Sequence, residues 1–105
     1  MTINIDVVKS TKEGKKYDAI IHKDNGKTKT VSFGAAGMSD YTKHKDEERK
    51  ANYISRHKAR EDWSKAGYDT AGFMSRWILW NKPSLRASIN DTNNRFNNLN
   101  IKMKV

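Results

Sequence analysis

The first third of the chain alternates apolar and polar residues, which is typical of β-strands with one buried face. Three such runs occur one after another, at residues 3–7, 17–21 and 28–33. Between the second and third runs lies Asp24-Asn25-Gly26, which suits a tight hairpin turn because asparagine and glycine tolerate positive φ. The pattern predicts an antiparallel meander of three strands.

The middle of the chain has a helical composition. One long helix is predicted from about Lys43 to Lys65, with acidic residues early, where the positive end of the helix dipole favours them, and Gly67 after its end. Thr70 is predicted to cap a second, short helix. The large side chains of this second helix recur on one face, at Phe73, Trp77 and Trp80.

Pro83 is predicted to start a third helix. One face of this helix carries Leu85, Ile89, Thr92 and Phe96. The apolar residues of a closing strand then alternate at Leu99, Ile101, Met103 and Val105. We expect this strand to pair beside the first, because its apolar face cannot be buried alone. The predicted fold is a single α+β domain over residues 1–105, a small antiparallel sheet of N-terminal meander and C-terminal strand packed with about three helices.

Charge narrows the choice of partner. The 105 residues include 21 Lys and Arg against 12 Asp and Glu, a net charge of +9. Such a surface attracts polyanions, namely nucleic acid, acidic membrane surfaces or acidic protein patches. Only 35% of the residues are hydrophobic, so the core must be small and rely on a few large side chains.

Several classes of function lack the residues they need. Without cysteine there are no disulfides, thiolate metal sites or cysteine nucleophile. The longest apolar run, Trp77–Trp80, is far short of the ~20 residues of a spanning helix, so no membrane insertion is expected. The three histidines lack metal-ligand spacing, and no nucleophile has an orienting base. We therefore expect no metal, no cofactor, no small-molecule substrate and no enzymatic activity.

A cationic stripe is predicted along the long helix. At 100° per residue, one arc of about 80° contains no acidic residue. It carries Lys45, Arg49, Asn52, Arg56, Arg60 and Trp63. Because like charges in neighbouring turns repel, this stripe favours an anionic partner, although an ordinary solvated face is the alternative. With nucleic acid, the cations would contact phosphates and Trp63 would stack on a base or sugar, with no frame for reading sequence.

Arg76 lies among the aromatic residues of the second helix. The tryptophans there form either a stacking platform and interface anchor or part of the core. If Arg76 is exposed, it is predicted to pair with an acidic partner. If it is buried, it is predicted to hold a carboxylate such as Asp40 or Asp69.

Residues 31–89 contain two distinctive phrases, Ser39-Asp40-Tyr41-Thr42 and Ser75-Arg76-Trp77 followed by Trp80-Asn81-Lys82-Pro83. This stretch resembles a family of small basic proteins encoded by large nucleocytoplasmic DNA viruses of algae and protists. The resemblance implies a viral protein carried in the virion and present in the host cytoplasm or nucleus during assembly. The family has no assigned activity, so the resemblance implies a context and not a mechanism.

These features support two hypotheses of function. In the first, the protein is a minor capsid or cement protein that bridges other viral structural proteins through its basic helix face and aromatic anchors. In the second, it binds nucleic acid without sequence specificity through the same helix. The predicted partner-binding residues of both are Lys45, Arg49, Arg56, Arg60, Trp63 and Arg76.

Overall fold

A computed structural model describes residues 2–23 and 25–104. Its centre is a four-stranded sheet in the order β3-β2-β1-β4. The strands are β1 (Ile3–Lys9), β2 (Lys15–His22), β3 (Thr28–Ala35) and β4 (Leu99–Met103). The predicted α+β class, the meander and the place of the last strand beside the first are confirmed. Met1, Asp24 of the predicted turn and Val105 of the predicted last strand lie outside the described residues.

The sheet is mixed, which corrects the prediction of an antiparallel one. β1 and β4 run parallel, with Ile5 opposite Ile101, while β1, β2 and β3 are antiparallel neighbours. A parallel pair requires a long crossover, and the helices between β3 and β4 supply it. In the β2–β3 hairpin, Gly26 has a φ of +80°, and the Lys27 N–H donates to Asn25 Oδ1.

Four helices come after β3. They are α1 (Tyr41–His44), α2 (Glu47–His57), α3 (Ala71–Met74), which continues as a π-helical turn (Ser75–Leu79), and α4 (Leu85–Arg95). A 3-10 turn, Lys65–Gly67, lies between α2 and α3. None of the helices in the described part of the chain is long and apolar enough to span a bilayer.

The prediction of one helix from Lys43 to Lys65 is wrong. Asp40 caps α1, which ends at Lys45 in the left-handed conformation with a φ of 55°. Asp46 then starts α2 by accepting hydrogen bonds from the N–H groups of Glu48 and Arg49. An aspartate at this position followed by two acidic residues is a strong helix start, and it overrides the continuous helical composition.

α2 ends at His57, eight residues before the end predicted at Lys65, because the segment after it packs against the core. The next segment leaves the helix so that Trp63 packs against the core, where its carbonyl accepts a hydrogen bond from Trp77 Nε1 at 3.0 Å. Asp62 accepts from the N–H of Ser64 at 2.9 Å and so fixes the turn into the 3-10 segment. Tertiary contacts thus outweigh the helical propensity of residues 58–65.

The short buried helix is confirmed, with one correction. Thr70 caps α3, and Phe73 and Trp77 reach the core. Trp80 also packs against the core but is only half-buried, and the π-helical turn before it, closed by the bond from Trp80 N–H to Ser75 C=O, adds a residue to the helical spacing. The third helix starts at Leu85, two residues after Pro83, because Ser84 provides the cap.

The hydrophobic core lies between one face of the sheet and the helices. The sheet contributes Ile5, Val7, Ala19, Ile21, Phe33, Leu99 and Ile101. The helices contribute Phe73, Met74, Trp77, Ile78, Leu79 and Ile89. The other face of the sheet carries mostly polar residues, and there Asp18 Oδ1 accepts hydrogen bonds from the hydroxyls of Ser10 and Ser32, each at 2.7 Å.

Candidate functional site

A groove runs beside α2, between this helix and the loop that leaves β3. It consists of two adjoining hollows of about 440 and 430 Å³. Both are lined by Met38, Ser39, Arg56 and Trp80. We call them together the α2 groove. The inner hollow reaches the end of β3 and the start of α3, and the outer hollow continues along α2 past Arg49, Asn52 and Ser55.

Two side chains of α2, Tyr53 and Lys50, hold it in place beside the groove. The Tyr53 ring stacks on the Trp80 ring, with centroids 4.4 Å apart. Lys50 Nζ donates to the carbonyl of Asn81 at 2.6 Å and lies 4.8 Å from the centroid of the Tyr41 ring. Burial lowers the pKa of Lys50. One face of α2 is therefore used for packing, and its other residues are left to face the groove and solvent.

Two carboxylates, Asp40 and Glu61, line the groove, and both belong to its inner hollow. Asp40 is buried and receives Lys16 Nζ at 2.5 Å, while its other oxygen caps α1. Glu61 lies 3.2 Å from Nδ1 of His57. Burial raises the pKa of Tyr53, so its hydroxyl stays neutral. No carboxylate is found among the described residues that line the outer hollow.

Arg49 and Arg56 carry the free positive charge of the outer hollow. They lie two helical turns apart on α2 and both are exposed. Neither forms an ion pair with any residue from 2–23 or 25–104. Two guanidinium groups at this spacing, with Asn52 and Ser55 between them, can bind successive anionic groups such as phosphates.

Of the predicted binding residues, the structure brings only Arg49 and Arg56 together in the groove. The prediction of a continuous cationic stripe is wrong, because α2 covers only Glu47–His57 of the helix predicted from Lys43 to Lys65. Lys45 lies in the left-handed link between α1 and α2, and Arg60 in the turn after α2. Trp63 is half-buried, packs against the core, and lies nearly parallel to Tyr53 with ring centroids 6.4 Å apart.

Arg76 corrects another prediction. It is half-buried, but it holds neither Asp40 nor Asp69, which pair with Lys16 and with Lys23 and Lys29. Instead its guanidinium donates to the carbonyl of Trp80 at 2.9 Å and lies 4.4 Å from the Trp77 ring centroid. Burial is the main cause that lowers the Arg76 pKa, followed by the nearby charge of Arg95. Arg76 is therefore part of the packing around Trp77.

Sequence reasoning missed the residues that complete the groove. Helical periodicity already placed Asn52 on the face of Arg49 and Arg56. Met38 and Trp80 come from segments distant in sequence, and no local pattern links them to α2. No group of three or more potential metal ligands occurs within the described residues.

A family model matches the first half of the chain. The model is that of DUF5754, a family of unknown function, and it covers residues 5–57, so the chain belongs to this family. The matched region runs from β1 to the end of α2 and contains both Arg49 and Arg56. No curated protein and no solved structure matches the chain.

Proposed function

We propose that this member of the DUF5754 family binds nucleic acid without sequence specificity, with the α2 groove as its main contact. The observation that carries the proposal is the unbalanced positive charge of two arginines that line the groove. Arg49 and Arg56 are exposed without a described acidic partner, and no carboxylate is found among the described residues that line the outer hollow. A phosphate backbone supplies the missing counter-charge.

The rest of the molecule supports this proposal through the way its acids are used. Asp69 is shared by Lys23 and Lys29, and Asp91 pairs with Arg95. These carboxylates are therefore already paired with cations of the same molecule, and the chain as a whole has a net charge of +9. The positive excess therefore stays on the surface, where it strengthens the attraction of any polyanion toward the groove.

The form of α2 favours contact with phosphates over reading of bases. Recognition helices use their N-terminal residues on base edges in the major groove. The N-terminus of α2 carries Asp46, Glu47 and Glu48, which repel the phosphate backbone. Arg49 and Arg56, further along the helix, are the residues of α2 suited to contact the phosphate backbone. Binding is therefore expected to depend on charge and hardly on the base sequence of the nucleic acid.

A role as a minor capsid or cement protein is the second proposal. The aromatic residues that were to anchor such an interface are largely used internally, since Trp77 is 8% exposed and Trp63 and Trp80 pack on the core. One observation favours the role, because Met38 is 65% exposed and lies beside the two groove arginines. It would insert into a viral structural neighbour, as the virus resemblance suggests.

Fluorescence anisotropy with labelled single-stranded and double-stranded DNA tests the first proposal. Binding should be tight at low salt and similar for unrelated sequences. The logarithm of the affinity should fall linearly with the logarithm of salt concentration, because cations on the strand are released. Micromolar or weaker binding that does not respond to salt would contradict nucleic-acid binding.

Mass spectrometry of purified virus particles tests the second proposal. A structural protein should be present at a constant ratio to the major capsid protein after the particles are washed in high salt. Its absence from particles, or its loss together with the genome, would contradict a bridging role and leave the nucleic-acid proposal in place.

A further inference from the structure

A second groove lies between α4 and the edge of the sheet formed by β4. Its volume is about 680 Å³. Leu85 and Ile89 of α4 and Ile101 and Met103 of β4 form its apolar floor. The cations along its rim are Arg86, Lys102 and Lys104. Among residues 2–23 and 25–104, the lining contains no carboxylate, and none of these three cations forms an ion pair.

We propose that this α4–β4 groove binds a short amphipathic helix of a partner protein, with acidic residues flanking its apolar stripe. The partner's apolar side chains would cover the aliphatic floor, and its carboxylates would face the three rim cations. The charges select an acidic partner over a basic or neutral one. The proposal is independent of nucleic-acid binding in the α2 groove, because the two grooves share no lining residue.

The edge of β4 argues against an added strand. Ile3 N–H donates to Asn98 C=O, and Lys104 N–H donates to Val7 C=O, so alternate β4 residues face β1. The backbone groups of Leu99 and Ile101 consequently point to the free edge.

Three of these four groups already have partners. Asn93 Nδ2 donates to Ile101 C=O at 3.0 Å, and Ile101 N–H donates to Asn93 Oδ1 at 2.8 Å. Leu99 N–H donates to the Phe96 carbonyl at 2.9 Å. Ile101, at the middle of the edge, is therefore closed to a partner strand. The groups left on either side of it, at Leu99 C=O and at Met103, are too few for a ladder, so we expect the occupant to bind through its side chains.

A helix fits this requirement. α4 has 11 residues and is about 16 Å long at 1.5 Å per residue, so it offers the length of three helical turns. A partner helix lying alongside α4 would present residues at i, i+3 or i+4 and i+7 to the floor. This arrangement would extend the helical layer of the domain by one element.

The floor also distinguishes this groove from a nucleic-acid site. Its four apolar residues are aliphatic, and no aromatic ring is available for stacking on a base. Nucleic acid would satisfy the rim cations but leave the aliphatic floor uncovered. An acidic amphipathic helix satisfies both parts of the surface.

The test uses the full chain labelled with ¹⁵N and a designed peptide of three to four turns, with leucine at i, i+3, i+4 and i+7 and glutamate on the flanks. A peptide of the same composition in scrambled order is the matched control. We expect amide shifts that concentrate at residues 85–90 and 101–104 and saturate with the ordered peptide. The scrambled peptide should bind at least about tenfold more weakly, since it has no continuous apolar stripe.

Two variants examine the two parts of the site. Arg86→Glu with Lys102→Glu should weaken binding of the ordered peptide by about tenfold or more, whereas Lys27→Glu with Lys65→Glu, exposed cations elsewhere, should change it little. Leu85→Ser should weaken binding while leaving the net charge unchanged. Three results would overturn the proposal. The ordered and scrambled peptides could bind equally well, or the amide signals of residues 85–90 and 101–104 could fail to shift. Single-stranded DNA, added at the same concentration of negative charge, could displace the ordered peptide completely.

Discussion

The rings of Tyr53 and Trp80 are stacked with an interplanar angle of 2° and centroids 4.4 Å apart. Tyr53 belongs to α2, and Trp80 lies directly after the π-helical turn that extends α3, so this pair joins two segments that are distant in sequence. Tyr53 also stacks on His57 at 4.4 Å. The direction in which α2 presents Arg49 and Arg56 therefore depends on a small aromatic stack.

Removal of the Tyr53 ring should destabilise the fold and loosen α2. Tyr53→Ala deletes a buried aromatic side chain and is expected to lower the free energy of unfolding by about 3 kcal/mol. Tyr53→Phe keeps the stacked ring and should cost less than about 1 kcal/mol. Urea unfolding followed by tryptophan fluorescence measures both. Equal costs would show that the hydroxyl, and not the stack, matters.

Gly34 is predicted to tolerate a side chain less well than Gly37. Its φ is +78°, and an added Cβ would lie 2.8 Å from Leu79 Cδ1 and 3.2 Å from Lys16 Cβ. Gly37 has a φ of +84° with nothing within 4 Å, so Gly37→Ala should cost only the backbone strain of about 1 kcal/mol. Gly34→Ala should cost about 1–3 kcal/mol more, because of the clash. Thermal unfolding of both variants compares them, and equal melting temperatures would refute the close approach.

The hydroxyls around Asp18 give the stability of the protein a predictable dependence on pH. The hydrogen bond from Ser32, followed by that from Ser10, lowers the pKa of Asp18. Because the pKa is lower in the folded state, the carboxylate stabilises the fold above its unfolded pKa, and this contribution is lost as pH falls through the folded pKa. Ser10→Ala with Ser32→Ala should raise the Asp18 pKa toward its ordinary value.

Carboxyl ¹³C titration and urea unfolding check this prediction. The double variant should be less stable than the parent at about pH 7, and the difference should shrink as the pH falls through the folded-state pKa of Asp18. Ser55→Ala, which changes an exposed hydroxyl of α2, serves as the control. A stability difference that is constant across this pH range would contradict a role for the Asp18 charge.

Asn93 is predicted to protect the edge of the sheet. Its amide group makes two hydrogen bonds to the backbone of Ile101. Asn93→Ala leaves both backbone groups without these partners and should cost about 1–3 kcal/mol. It should also increase self-association, because an open strand edge pairs with other chains. Analytical ultracentrifugation and urea unfolding measure the two effects, and a monomeric variant of unchanged stability would contradict this role.

Local patterns in the sequence were sufficient to predict most of the sheet. Alternation identified the three meander strands and the closing strand, and Thr70 identified the start of α3. The direction of β4 relative to β1 was not accessible, since alternation has no polarity. The start of α2 at Asp46 had a local signal, a capping aspartate followed by two glutamates, but continuous helical composition obscured it.

The site was less predictable than the fold. Arg49 and Arg56 could be placed on one face because both belong to a single uninterrupted helix. Arg60 and Trp63 could not, because the end of α2 is set by the packing of Trp63 against the core rather than by a glycine or proline. The rest of the groove depends on long-range contacts such as that between Tyr53 and Trp80.

The most direct measurement of nucleic-acid binding compares two variants of equal charge. Arg49→Glu with Arg56→Glu and Lys27→Glu with Lys65→Glu each replace two exposed cations, but only the first pair lines the α2 groove. In anisotropy titrations with single-stranded DNA, the groove variant should bind at least about tenfold more weakly than the control variant and show a salt slope reduced by about two cations. Equal weakening of the two variants would show that net charge alone drives binding and would contradict the assignment of the groove.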